Sequence, residues 1–186
     1  MNRLETVDET VWYEAALAFR APEDLRCVVL DLRSRLGWPA PPEFQLEPHV
    51  TVLFLGRRIG RQMVGLKATV EGLVPARAEA CLVGLGVFKR GDKIINVHLK
   101  LGGAPQLRAL HRRAHELATD GGWGSQSPYI LADYTPHVSI YDSTSLDAAY
   151  EAQLAHQDVR HWGGTFVDLH VIGRIVPTSD QRRSAA

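Results

Sequence analysis

Two short runs hold the residues best suited to chemistry, Pro48-His49-Val50-Thr51-Val52 and Pro136-His137-Val138-Ser139-Ile140. Each offers an imidazole and, two residues on, a hydroxyl. Histidine titrates near pH 6.5 when unperturbed, so one imidazole can serve as a neutral base while another serves as a cationic acid. Two of them facing one cleft suit proton transfer at a phosphate ester. Opening a 2′,3′-cyclic phosphate requires water to be deprotonated on one side and the leaving ribose oxygen to be protonated on the other. Hydroxyls at Thr51 and Ser139 can donate to the non-bridging oxygens as their charge grows. A single His-x-Thr would carry little weight, because a lone strand histidine is more often a half-buried structural residue. Of the eight histidines, however, only His49 and His137 follow a proline and have Ser or Thr two residues later.

Both runs alternate β-branched and polar residues, which predicts strands. Successive side chains on a strand face opposite ways, so His49 shares a face with Thr51 and His137 with Ser139, while Val50, Val52, Val138 and Ile140 point the other way. The imidazole and hydroxyl then lie roughly 7 Å apart along the strand. The motifs are 88 positions apart (137 − 49), which predicts a duplicated unit. Around them the pattern predicts strands at 12–19, 49–55, 78–88, 93–101, 137–141 and 165–175. Helices are predicted at about 22–36, 60–73, 105–118 and 143–156. Lys89-Arg90-Gly91-Asp92 is a hairpin turn. Mixed order with hairpins predicts an α+β fold. The expectation is one two-lobed domain over residues 1–186, ordered from about 12 to 176 between a frayed N-terminus and a tail. An approximate two-fold would relate two antiparallel or mixed sheets facing a central cleft, with helices outside.

Lys plus Arg and Asp plus Glu both number 21, a net charge of zero. Proteins that grip long duplex nucleic acid carry a basic footprint, so phosphate recognition is expected in one cleft, on a small nucleotide or an RNA end. Cys27 and Cys81 form neither a disulfide framework nor a metal pair and read as buried small hydrophobes. No apolar run approaches the roughly 20 residues of a membrane span, and a reducing, cytoplasmic setting is expected.

The paired motifs His49-Val50-Thr51-Val52 and His137-Val138-Ser139-Ile140 resemble the His-x-Thr/Ser-x signature of the two-histidine phosphoesterase superfamily. That group includes bacterial 2′-5′ RNA ligase-like proteins and cyclic nucleotide phosphodiesterases. Phe54-Leu55-Gly56 and the opening strand and helix add to the likeness, which spans most of 12–176. The resemblance implies a bilobal α+β fold, catalysis without metal or other cofactor, and substrates with 2′-5′ or 2′,3′-cyclic phosphate linkages. It makes His49 and His137 the acid/base pair and Thr51 and Ser139 the phosphate ligands. Ligation to a 2′-5′ bond, hydrolysis of cyclic oligonucleotides and non-catalytic nucleotide binding are the alternatives.

Further candidates are weighed against plainer roles. Arg57 and Arg58 could touch a phosphate or end a strand in solvent; Lys89 and Arg90, at a hairpin tip, could lean over the cleft, though a solvated turn is preferred. Tyr134, Tyr141 and Phe54 could stack on a base; core packing is preferred for Phe54, and Tyr141 shares parity with His137. His98 lies on a face with Asn96 and could line the cleft, though a half-buried structural role is preferred. His111 and His115 have helical metal-ligand spacing, but Arg112 and Arg113 beside them favour a surface helix face over a metal site.

Overall fold

The computed structural model describes residues 2–3, 8–38, 47–71, 73, 76–123, 131–146, 154, 157–159 and 161–176. Its strands are β1 (Asn2–Arg3), β2 (Trp12–Arg20), β3 (His49–Ile59), β4 (Ala78–Arg90), β5 (Lys93–Gly102), β6 (His137–Leu146), β7 (Gly163–Phe166) and β8 (Leu169–Ile175). Three helices accompany them among the described residues, α1 (Glu23–Arg35), α2 (Gly60–Glu71) and α3 (Pro105–Asp120). Acidic Glu23 and Asp24 begin α1 and Arg33 and Arg35 end it, matching the helix dipole. Pro105 opens α3, where its missing N–H costs nothing.

All strands join one sheet in the order β1-β8-β2-β3-β6-β5-β4-β7, and every pairing is antiparallel. The two facing sheets expected from sequence are therefore one, because the motif strands β3 and β6 pair directly at its centre. The halves still mirror each other outward, β3-β2-β8 against β6-β5-β4. The strand expected at 165–175 is two, split by Val167-Asp168. Its first piece pairs with β4 and its second with β2, near opposite edges of the sheet. Two linking residues reach only about 11 Å, whereas six strand spacings in a flat sheet total about 29 Å. The sheet must therefore curl until its edges approach.

The core lies between the sheet and the helices. Tyr13, Ala15, Leu17 and Phe19 of β2 meet Leu25, Val28, Val29 and Leu32 of α1 there, with Leu107 and Ala114 of α3. On α3 the buried stripe is Leu107, His111, Ala114 and Ala118, so His111 faces inward at 2% exposure. The expected surface face is corrected for His111; His115 is half-buried. Cys27 and Cys81 are exposed rather than buried. Residues 2–3 pair with β8 instead of fraying. Residues 143–146 continue β6 where a helix was expected, and most of the remainder of that segment, like the tail after 176, lies outside the described residues.

Candidate active site

The centre of the site is the pairing of Val50 with Val138. Both valines are fully buried in the core, each worth about 1.5–3 kcal/mol of transfer free energy. Their neighbours must point the other way, so His49, Thr51, His137 and Ser139 emerge together on the opposite face, all half-buried. In the antiparallel register His49 flanks Ser139 and Thr51 flanks His137, which puts the two histidine Cα atoms about 8 Å apart along a diagonal. Each ring is oriented alike. His49 Nδ1 is 3.0 Å from the Glu47 carbonyl and His137 Nδ1 is 2.7 Å from the Thr135 carbonyl. A carbonyl can only accept, so Nδ1 carries the proton and Nε2 of the neutral ring carries the lone pair.

One residue beyond each hydroxyl the strand bulges. Ala18 pairs with Thr51 but Leu17 with Leu53, leaving Val52 extra; His98 pairs with Ser139 but Val97 with Tyr141, leaving Ile140 extra. An inserted residue reverses the parity of everything after it. Phe54 consequently joins Ala16, Ala18 and Ile172 in a small apolar cluster on the site face, correcting the expected packing into the main core. Tyr141 goes to the helix side and stacks on Trp38 at 5.0 Å, so it does not line the site. The carbonyls of the extra residues are met from below. His111 Nδ1 donates to Val52 O at 2.6 Å and Arg33 Nε to Ile140 O at 2.6 Å.

Across the sheet the register sets Arg20 opposite His49 and Lys100 opposite His137, both exposed cations. Nothing in the sequence reading anticipated either residue, because only strand pairing brings them to the motifs. Arg20 also bridges Glu47 at 3.1 Å. His98 stands opposite Ser139, 2% exposed, with its ring 4.9 Å from that of His137. Phe88 packs on both rings at 4.4 and 5.0 Å. Burial, then the neighbouring His137 and Lys100, push the His98 pKa down to about 3, so it is a neutral, internal ring. It therefore stands behind His137, more deeply buried than the half-buried position preferred from sequence.

Tyr134 is 6% exposed, its hydroxyl donating to Thr51 O at 2.9 Å and its ring stacked on His111 at 4.0 Å. Burial raises its pKa. It braces the first motif strand from inside, a correction to the expected base-stacking role. Arg57 lies eight residues along β3 from His49, about 25 Å of strand, too far for the same phosphate. It lies opposite Glu14 in the register, and Glu14 binds Arg174. The Arg58 guanidinium is held by the carbonyls of Arg57 and Trp123. Lys89 and Arg90 are exposed at the hairpin end. Among the described residues no cluster of three or more His, Cys, Asp or Glu is arranged to hold a metal.

Comparison with known proteins bears on the fold and the family. Several solved structures share the fold at low identity. E. coli LigT in apo form superimposes with TM-score 0.58 and 16% identity, over 90% of this chain and 95% of that one. The protein TT0787 of Thermus thermophilus gives 0.60 and 18%, over 88% and 95%. LigT complexed with 3′-AMP gives 0.57 and 14%, over 90% and 95%. No curated protein sequence matches the chain. The model of the 2′-5′ RNA ligase superfamily matches residues 39–175, a span that includes both motif strands, and the chain belongs to that superfamily.

Proposed function

We propose that the protein is a metal-independent phosphoesterase that cleaves 2′,3′-cyclic phosphate or 2′-5′ phosphodiester bonds of nucleotides or RNA ends. The observation that carries this reading is the Val50–Val138 pair, which turns two Nδ1-anchored imidazoles and two hydroxyls onto one face. One Nε2 takes a proton from water as the water oxygen bonds to phosphorus. The phosphorus bond to the leaving ribose oxygen breaks, and the other histidine, as imidazolium, gives that oxygen its proton. Thr51 and Ser139 donate to the non-bridging oxygens, with Arg20 and Lys100 at either side. That E. coli LigT has been crystallised with 3′-AMP and with phosphate supports a small nucleotide as ligand.

The test is a screen of 2′,3′-cyclic nucleotides, 2′-5′ dinucleotides and cyclic oligonucleotides, with phosphorus NMR identifying the ester cleaved. Turnover should survive chelators, follow a bell-shaped pH profile, and vanish in His49→Ala and His137→Ala while the fold persists. Either variant keeping most of its activity would overturn the assignment.

A further inference from the structure

The halves of the site differ beside their hydroxyls. Thr51 stands opposite Ala18, whose methyl neither donates nor accepts. Ser139 stands opposite His98 and is reached by a chain of polar contacts. His98 Nδ1 donates to Asn96 Oδ1 at 2.9 Å, and Asn96 Nδ2 donates to Ser139 Oγ at 2.9 Å. Each link has a fixed direction. An amide oxygen can only accept and an amide NH₂ can only donate. Once Ser139 Oγ accepts from Asn96, its own proton must be given elsewhere, and Ser139 faces the site.

We propose that Asn96 is a positioning residue that makes the Ser139 hydroxyl an obligate donor to a phosphoryl oxygen, with His98 holding the amide in the required orientation; this rests on the phosphoesterase reading above. The surroundings of His98 keep it to that task. A Cβ built on Gly86 would come within 2.5 Å of His98 Nε2, so β4 presses its bare backbone against the ring, while Phe88 and the His137 ring pack beside it. Packed this way, the ring meets Asn96 through Nδ1. The site is thereby asymmetric: one hydroxyl is preset as a donor, while the other stands opposite an alanine. Buried networks of this kind act as a unit, which double-mutant cycles can measure.

The test compares Asn96→Asp with Asn96→Ala, each alone and combined with Ser139→Ala, reading the dissociation constant of inorganic phosphate by phosphorus NMR titration. Asp has the shape of Asn but only accepts, so it draws the Ser139 proton away from the anion. Asn96→Asp should weaken phosphate binding by about a hundredfold and Asn96→Ala by about tenfold. In the Ser139→Ala background both losses should shrink to within about twofold. An Asp effect that persists undiminished without the serine would mean charge repulsion and overturn the relay. So would a harmless Asp, which would mean that Ser139 already donates to residue 96. His98→Phe, which keeps the ring volume and removes the Nδ1 donor, should give an intermediate loss, and unchanged binding there would remove His98 from the proposal. If Asn96→Asp does not fold, the Asn96→Ala and His98→Phe cycles with Ser139→Ala decide the matter alone. Phosphate affinity is read independently of turnover. A wild-type protein that cleaves no ester in the screen would refute the phosphoesterase reading while still reporting on the relay.

Discussion

Arg33 of α1 places its Nε 2.6 Å from the carbonyl oxygen of Ile140, the extra residue of the bulge that follows Ser139. Its counterpart in the other half is His111 of α3, 2.6 Å from the carbonyl of Val52 behind Thr51. A bulge interrupts the ladder, and a buried carbonyl left without a donor costs about 1–3 kcal/mol. Each helix therefore supplies the donor that lets a motif strand kink directly after its hydroxyl. The site face and the helix packing are in this way one construction.

Arg33→Met keeps most of the apolar stem while removing the donor. It should lower unfolding free energy by about 1–3 kcal/mol and reduce turnover several-fold through displacement of Ser139. Denaturant titration alongside kinetics checks both. Unchanged stability would mean that the Ile140 carbonyl does not depend on α1.

His111 accepts from Leu131 N–H through Nε2 at 2.8 Å while Nδ1 donates to Val52 O, so both ring nitrogens are committed only in the neutral form. Burial lowers its pKa, with Val52 opposing and His115 reinforcing the shift. A folded pKa below the unfolded value means that the unfolded chain takes up the proton first. The stabilisation is complete above about pH 6.5 and declines as pH falls toward the folded value. Wild type should therefore lose stability between pH 7 and pH 5, and His111→Phe should be less stable at pH 7 with a shallower decline. A wild-type profile flat over that interval would contradict the assignment.

The same sign applies to His98, whose pKa of about 3 spreads its contribution down to that pH. The His98→Phe variant should show a flatter stability profile than wild type between pH 6.5 and 4. Circular dichroism melts across that range give the comparison.

The bulges also separate two aromatic residues. Phe54, half-buried on the site face, is expected to contact ligand, and Phe54→Ala should raise KM several-fold. Tyr141→Ala breaks the stack on Trp38 and should cost stability, about 1–3 kcal/mol, with KM near wild type. The reverse pattern would mean that the strands keep their parity through Val52 and Ile140.

Arg20 and Lys100 occupy matching register positions beside His49 and His137. Both are exposed, so salt screens them. Arg20→Ala and Lys100→Ala should each raise KM about three- to tenfold at low ionic strength, with the difference from wild type narrowing at 0.5 M salt. An effect insensitive to salt would assign them a contact other than charge.

The two motifs, their alternation, the strands near 12–19, 49–55, 78–88 and 93–101 and the helices near 22–36, 60–73 and 105–118 are legible from residues alone, because period and flanking prolines are local properties. So is the common face of His49 with Thr51 and of His137 with Ser139. The parity rule misplaces Phe54 and Tyr141, since a bulge depends on how the neighbouring strand is registered and on a donor arriving from a helix far along the chain. It fails to find His111 for a related reason: Arg112 and Arg113 beside it suggest a surface face, while packing under β3 chooses the stripe through 107, 111, 114 and 118. The splitting of the last strand, the single curled sheet, and the arrival of Arg20, Lys100 and the Asn96–His98 pair beside the motifs belong to tertiary structure. Hydrogen bonds between strands distant in sequence decide which residues become neighbours, and no local pattern encodes that choice.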